Sequence, residues 1–154
     1  MYTEIKKYYS NISIAPPVEL PAVAYYAPRK RYRADSIISI LAKKAGTNQV
    51  ILGLTAKDIS TGNKQVKDWG VMGLGYCPGK ACVASGFRLL KKDKKTQLFK
   101  VAIHELGHTQ GLSHCSQKYC FMRDAEGGNP TNEEKAFCSS CKNLLKTRGW
   151  TFTE

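Results

Sequence analysis

The sequence has 154 residues, of which 42% are hydrophobic and 23% charged, and its formal net charge is +12. This length fits one domain, residues 1–154, that is large enough to bury a substantial core, and the composition is that of an ordinary globular protein. No apolar run approaches the ~20 residues of a membrane-spanning helix, and the N-terminus lacks the continuous apolar segment of a secretion signal. We therefore expect a cytoplasmic monomer that does not enter a membrane.

The excess of positive charge suggests an anionic partner. Four lysines surround Asp93 in the run Lys91–Lys95, and such a basic patch would suit nucleic acid, an acidic peptide or a membrane surface. A solvated loop with basic faces explains the same run without any partner. Thiolates bound to zinc would also offset part of the excess, since four of them around one dication add a net charge of about −2.

The first 33 residues predict little regular structure. We expect a strand near Asn11–Ala15, followed by an irregular connection that contains Pro16, Pro17, Pro21 and Pro28. Aromatic and basic residues are interleaved in the pair Tyr25-Tyr26 and the run Arg29–Arg33. Such a mixture can stack on the bases of a nucleic acid and neutralise its backbone, so this stretch supports a nucleic-acid-binding function.

A helix and a strand are predicted next. Residues Asp35–Ala45 place four apolar side chains on one stripe, namely Ile37, Ile38, Ile40 and Leu41. Asp35 or Ser36 can cap the start of this helix, and Gly46 can close its end. The run Gln49–Thr55 is short, apolar and rich in β-branched residues, which predicts a buried strand.

The glycine-rich stretch Trp69–Leu90 predicts two short strands on either side of the turn Cys77–Lys80. Its five glycines suggest a twisted edge or a close approach of the backbone to a ligand. A strong helix then runs from about Thr96 to Thr109. A last helix is expected to begin at Thr131, where Glu134 has the capping-box spacing, and to end at Gly149. Strands that come first and helices that come last predict an α+β fold.

One histidine motif dominates the sequence, the run H-E-L-G-H-T-Q-G-L-S-H from His104 to His114. Residues four apart share one helix face, so His104 and His108 can reach the same metal ion. Gly111 can take the left-handed conformation that ends the helix and returns His114 as a third ligand. Three protein ligands with one open position are typical of a catalytic zinc. Glu105 is offset from these ligands and is the candidate general base.

Four cysteines after this motif suggest a second metal site. Cys115 directly follows His114, so in an extended segment the two side chains point to opposite sides and can face different ions. Cys120, Cys138 and Cys141 complete two pairs separated by a loop, which is the spacing of a closed structural zinc site. Unrelated buried thiols or two disulfides are the alternatives. The sequence therefore predicts two zinc ions for each chain, one catalytic and one structural.

Cys77 and Cys82 lie outside these patterns. They can be free thiols of the turn, or they can form a redox-dependent disulfide that closes a short loop. A third interpretation is that one of them blocks the open position of the catalytic zinc.

The segment His104–Cys141 resembles the archaemetzincin family. The family signature is H-E-x-x-H-x-x-G-x-x-H-C, then C-x-M, then C-x-x-C, and this chain matches it with His104–Cys115, Cys120-Phe121-Met122 and Cys138-Ser139-Ser140-Cys141. Upstream, Leu52-Gly53-Leu54-Thr55, Asp58-Ile59 and Ser85–Leu89 also look like the family. The loop between Met122 and Cys138 is slightly shorter than in the family.

The resemblance implies a metzincin-like catalytic domain with a small twisted mixed sheet, an active-site helix and a C-terminal helix. Metzincins place a methionine turn beneath the metal behind the third histidine, and Met122 has that position here. The implied activity is zinc-dependent hydrolysis of peptide bonds, in which Glu105 takes a proton from the attacking water and passes it to the leaving amine. An extended substrate would lie along the glycine-rich edge Trp69–Tyr76 and add a strand to the sheet.

The expected partner is a peptide or protein substrate, with an acidic one favoured by the net charge of +12. The alternative is a non-catalytic binding module, stabilised by zinc, for nucleic acid or another anionic partner. Such a module would keep the cysteine site but would have no need for Glu105 beside a three-histidine metal.

Overall fold

The computed structural model describes residues 1–152, which form an α+β structure as predicted. Within this range the α-helices are α1 (Tyr2–Lys6), α2 (Ala34–Lys44), α3 (Lys94–Thr109) and α4 (Ser139–Thr147). The strands are β1 (Tyr25–Tyr26), β2 (Arg31–Arg33), β3 (Ile51–Thr55), β4 (Ile59–Thr61), β5 (Trp69–Val71), β6 (Gly73–Gly75) and β7 (Ala81–Ser85). None of these helices combines the length and the apolar character needed to cross a membrane.

The strands form two small mixed sheets. The first has the order β3-β7-β6, in which β3 is parallel and β6 antiparallel to β7. The second has the order β1-β2-β4-β5, in which only β2 and β4 are parallel. The strands β6 and β7 flank the turn Cys77–Lys80, so the two strands predicted around that turn are confirmed, and β5 precedes them.

A helix covers each face of β7, the central strand of the first sheet. Successive side chains of a strand point to opposite faces. Val83 packs with Ile37 and Ile38 of α2, whereas the neighbouring Ala84 packs with Val101 of α3. All five residues of β7 are buried. Burial of such apolar side chains, worth about 1.5–3 kcal/mol each, holds α3 against the sheet and therefore positions the histidine motif.

Apart from the apolar contacts on the two faces of β7, a separate core of aromatic and aliphatic side chains joins the two ends of the described chain to α3. Phe121, Phe137 and Trp150 pack in edge-on contacts around Ile103 and Leu145. The N-terminal segment joins this core, and one backbone hydrogen bond of 2.7 Å connects the two ends, from the Thr151 N–H to the Tyr8 carbonyl. The segment that follows the histidine motif therefore packs against both the N-terminal and the C-terminal parts of the described chain.

The predicted strand at Asn11–Ala15 is wrong. This segment is irregular, and Ile14 is 76% exposed, so it lacks the apolar contacts that would favour a strand. Pro16 and Pro17 follow at once and cannot donate to a strand ladder. The regular element of this region is instead the short helix α1.

The predicted helix in the next segment is confirmed as α2, but its predicted caps are wrong. The residue before the helix is Arg33, which makes no side-chain cap. Asp35 instead accepts hydrogen bonds from the hydroxyls of Thr61, at 2.8 Å, and Tyr76, at 3.3 Å. The Asp35 carboxylate is therefore used in contacts with residues distant in sequence and does not cap the helix. Ala45 in an extended conformation, rather than Gly46, ends the helix.

Two further boundaries differ from the sequence-based expectation. The predicted strand Gln49–Thr55 is shortened to β3 and is mostly half-buried, because it lies at the edge of its sheet. The last helix begins at Ser139 rather than at Thr131, which lies in a 3-10 turn and donates its N–H to the Asn129 side chain at 3.2 Å. Gly149, with a φ of +81°, follows this helix as predicted.

Candidate metal centres

The three histidines of the chain come together at the C-terminal end of α3. His104 and His108 lie on one face of that helix, and Gly111 beyond it has a φ of +98°. In this left-handed conformation glycine carries no steric penalty, and the chain turns back so that His114 approaches the other two. One ring nitrogen from each histidine lies within 4.8 Å of the others.

The hydrogen bonds of these histidines determine which nitrogens remain free. His104 Nδ1 lies 2.6 Å from the Phe121 carbonyl oxygen, and His108 Nδ1 lies 2.7 Å from that of Leu112. A carbonyl oxygen can only accept, so each Nδ1 carries the proton and donates it. Each Nε2 therefore keeps its lone pair, and this arrangement is the usual one for histidines that bind zinc. The histidine group fits a zinc ion.

Burial keeps the two helical histidines in the form that binds metal. Burial, assisted by the neighbouring His108, lowers the pKa of His104 to about 4, and burial also lowers the pKa of His108. Both imidazoles are therefore neutral near pH 7 even without a cation. Since zinc binds the neutral ring, no proton has to be displaced from either side chain first.

Glu105 is buried beside the histidine group, against the backbone of β6. A Cβ atom added at Gly73 would lie 2.5 Å from Glu105 Oε1, and one added at Gly75 would lie 3.3 Å from Oε2. These two glycines therefore leave the space that the carboxylate occupies. Burial raises the pKa of Glu105 to about 8, and a dication at the histidines would favour the ionised form.

Met122 packs against α3. Its side chain is fully buried, and a Cβ atom added at Gly107 of α3 would collide with the Met122 sulfur. The Met122 carbonyl accepts the Cys115 N–H at 2.8 Å, which ties this turn to the residue after His114. Gly107 was not identified from the sequence, because its role depends on the approach of a distant side chain.

The four cysteines form a second group. The Cys115 and Cys138 sulfurs are 3.7 Å apart, as are those of Cys120 and Cys141, and all four lie within 4.8 Å of one another. All of these thiols are free, so the disulfide alternative is wrong. Four sulfurs on a tetrahedral zinc, with Zn–S bonds of ~2.3 Å, would be ~3.8 Å apart. The group therefore fits a closed zinc site.

The surroundings of the cysteines also suit a bound cation. Backbone N–H groups of Met122 and Cys138 each point at the Cys120 sulfur, at 3.4 Å. Such donors stabilise a thiolate. Burial raises the pKa of the Cys120 and Cys141 thiols, so a positive ion is needed to hold both as thiolates at neutral pH.

Cys77 and Cys82 belong to neither group. Both are free thiols, which is the first of the interpretations offered by the sequence. Cys82 is fully buried on β7, and burial followed by the nearby Glu105 raises its pKa. Cys77 is exposed and donates to the Leu112 carbonyl at 3.2 Å. Neither cysteine is part of the histidine group in the described residues, so neither occupies the position of a fourth ligand.

Two arginines of the predicted nucleic-acid-binding stretch make internal contacts, whereas Arg29 and Lys30 are exposed. Arg31 is buried and pairs with Asp58 and Asp68. Arg33 pairs with Asp68 at 3.0 Å and lies over the Tyr26 ring. These arginines stabilise the second sheet rather than present a free basic surface. The lysines of Lys91–Lys95, in contrast, are exposed around the start of α3.

Asp124 is a site residue that the sequence analysis missed. Its Oδ2 atom lies 3.2 Å from His114 Nδ1, so a carboxylate is the group beside this ring nitrogen, whereas a backbone carbonyl is beside Nδ1 of the other two histidines. No spacing rule links the two residues, since Asp124 lies in an irregular loop after Met122.

A helix with two histidines, a third histidine after a glycine turn, and a buried glutamate beside them on an α+β fold define a zinc metallopeptidase of the metzincin type. The chain matches Peptidase family M54 over residues 18–147. The archaemetzincin of Methanopyrus kandleri is 33% identical over 132 residues, which cover 83% of this chain and 73% of that relative.

Two crystal structures are similar to this fold. The archaemetzincin of Methanopyrus kandleri has a TM-score of 0.73 at 32% identity, with 84% of this chain and 72% of that chain covered. The archaemetzincin of Archaeoglobus fulgidus, complexed with malonate, has a TM-score of 0.71 at 30% identity, with 84% and 79% covered. The chain thus belongs to Peptidase family M54 and is similar to the archaemetzincins throughout most of its length.

Proposed function

We propose that the protein hydrolyses peptide bonds with a catalytic zinc held by His104, His108 and His114, and with Glu105 as general base. The observation that carries this proposal is the convergence of three imidazoles beside one buried carboxylate, where two of the imidazoles have a lowered pKa and Nδ1 within hydrogen-bond distance of a backbone carbonyl. A closed structural site would have a fourth protein ligand, which the histidine group lacks among the described residues.

A zinc ion at this group would supply a Lewis acid that acidifies water and polarises the scissile carbonyl. Glu105 would accept the proton of the attacking water and later deliver it to the leaving amine. Its carboxylate lies against the backbone of β6, in the space that Gly73 and Gly75 leave because they have no side chain. Met122 would support the α3 turn that carries the ligands.

The edge of β6 is the proposed site for the substrate. This strand pairs with β7 on one side, and its other side has no partner strand among the described residues. An extended peptide can bind such an edge through backbone hydrogen bonds. Because Gly73 and Gly75 also touch Glu105, a peptide along β6 would pass close to the general base.

Cys115, Cys120, Cys138 and Cys141 are proposed to hold a second, structural zinc. We further propose that residues 1–154 act as one monomeric domain, since both groups of ligands come from a single chain. A reducing compartment such as the cytoplasm would suit the four thiols, which must stay reduced to bind zinc.

Two zinc ions are expected for each chain. The protein purified without chelator should contain close to two equivalents by elemental analysis, although the open histidine site can lose its ion during purification. His108→Ala should reduce the content to one, and so should Cys141→Ser if that variant folds. A value of one in the parent protein after zinc saturation would contradict the assignment.

Cleavage of a peptide library by the zinc-saturated protein tests the activity itself. The charge of +12 predicts preference for peptides with acidic residues, with kcat/KM falling as salt screens the attraction. Matched peptides in which Glu is replaced by Gln serve as controls. Equal cleavage of the Glu and Gln peptides at low salt would contradict the predicted preference for acidic substrates. Cleavage of neither set would contradict the proposed function.

A further inference from the structure

We infer that Asp124 is a positioning residue that orients the His114 imidazole and thereby raises the affinity of the histidine group for a divalent cation. This inference rests on the proposed three-histidine zinc site. It concerns how this chain completes that site, because the two other histidines are oriented by backbone atoms and His114 by a side chain.

His114 is the ligand that most needs such a partner. His104 and His108 belong to α3, whose backbone and packing restrict both rings. His114 follows the turn at Gly111 outside any helix, and its side chain is 47% exposed. An exposed side chain that becomes fixed loses rotamer entropy, and this cost would fall on metal binding unless another contact has already fixed it.

Asp124 is itself held in place on both sides of its carboxylate. The Oδ1 atom accepts the Glu126 N–H at 2.9 Å, and the Oδ2 atom faces His114 Nδ1 at 3.2 Å. The rest of the loop is closed by a backbone hydrogen bond of 2.7 Å from the Gly128 N–H to the Ala125 carbonyl. The carboxylate is therefore presented by a folded turn rather than by a free side chain.

The Asp124 carboxylate also contributes charge. The acceptors for the other two histidines are neutral carbonyls, whereas an aspartate is ionised at neutral pH. An anion beside Nδ1 favours the tautomer with the proton on that nitrogen, which leaves the Nε2 lone pair free to bind a cation. It also partly balances a dication bound by three neutral ligands. The orientation of the His114 ring and the negative charge of Asp124 therefore both raise the affinity of the histidine group for a cation.

The test is the zinc dissociation constant of the histidine site, measured by competition with a chelator while the cysteine site stays loaded. Asp124→Ala should raise this constant by about 10–100-fold, the range found when partners of metal-bound histidines are removed. Asp124→Asn keeps an acceptor oxygen and should recover part of the loss.

Glu126→Gln is the matched control. It removes the same charge from the same loop, but only the Glu126 backbone contacts Asp124, so zinc affinity should be unchanged. An unchanged constant in Asp124→Ala, or an equal change in Glu126→Gln, would overturn the inference. A parent protein that binds zinc only at the cysteines would instead contradict the proposed catalytic site, so the two failures are distinguishable.

Discussion

Glu105→Gln is expected to lower kcat/KM for peptide hydrolysis by about 10²–10⁴-fold, the usual contribution of general acid–base catalysis. The amide has nearly the shape of the carboxylate, so it should occupy the same space against Gly73 and Gly75. It cannot accept the proton of the attacking water at neutral pH. Because Glu105 is buried with its pKa raised by desolvation, a neutral amide at this position should also cost little stability.

The measurement compares cleavage rates with metal content and thermal stability in the same preparations. Glu4→Gln, an exposed position on α1 that pairs with Lys7, is the control for loss of one carboxylate and should behave like the parent. Loss of activity with zinc content and melting temperature unchanged would support the role of Glu105. A Glu105→Gln variant that cleaves peptides as fast as the parent would show that another group is the base.

Cys138→Ser and Cys141→Ser are expected to destabilise the protein much more than His108→Ala. The cysteine group joins the turn Cys115–Met122 to the start of α4, two segments that are distant in sequence. Binding of a structural zinc, worth about 10–16 kcal/mol in small domains, is in effect folding free energy. Loss of one thiolate should therefore reduce the free energy of unfolding by more than about 4 kcal/mol.

His108→Ala should cost about 1 kcal/mol or less, because apolar contacts of Val101, Ala102 and Ile103 already hold α3 in place. Denaturant unfolding of the zinc-loaded variants measures the difference, and Cys77→Ser provides a control for loss of an exposed thiol outside the group. A chelator should remove most of the difference between Cys141→Ser and the parent. Equal losses of stability in Cys141→Ser and His108→Ala would contradict the structural assignment.

Most of the geometry of the histidine motif could be predicted from rules that involve only residues close in sequence. The positions of His104 and His108 on one face follow from the helical period alone. The positive φ of Gly111 follows from the need to end the helix, since glycine has no Cβ to hinder that conformation. The adjacency of His114 and Cys115 places them in different groups for the equally local reason that an extended chain alternates its side chains.

Tertiary contacts decided the features that local rules missed. The start of α4 at Ser139, rather than at Thr131, places Phe137 in the aromatic core and Cys138 beside Cys115. Arg31 and Arg33, two of the residues that suggested a nucleic-acid surface, instead pair with Asp58 and Asp68, which directly precede β4 and β5. In both cases a partner remote in sequence outweighs the local preference.

The sequence by itself determined the fold class and the composition of both groups of candidate metal ligands, because these depend on periodicity and on residue chemistry within short spans. Only the tertiary structure showed what surrounds each group. Gly73 makes room for Glu105, Gly107 for Met122, and Asp124 faces His114. Each of these pairs joins segments whose distance in space is set by the packing of the whole chain, and no spacing along the sequence encodes it.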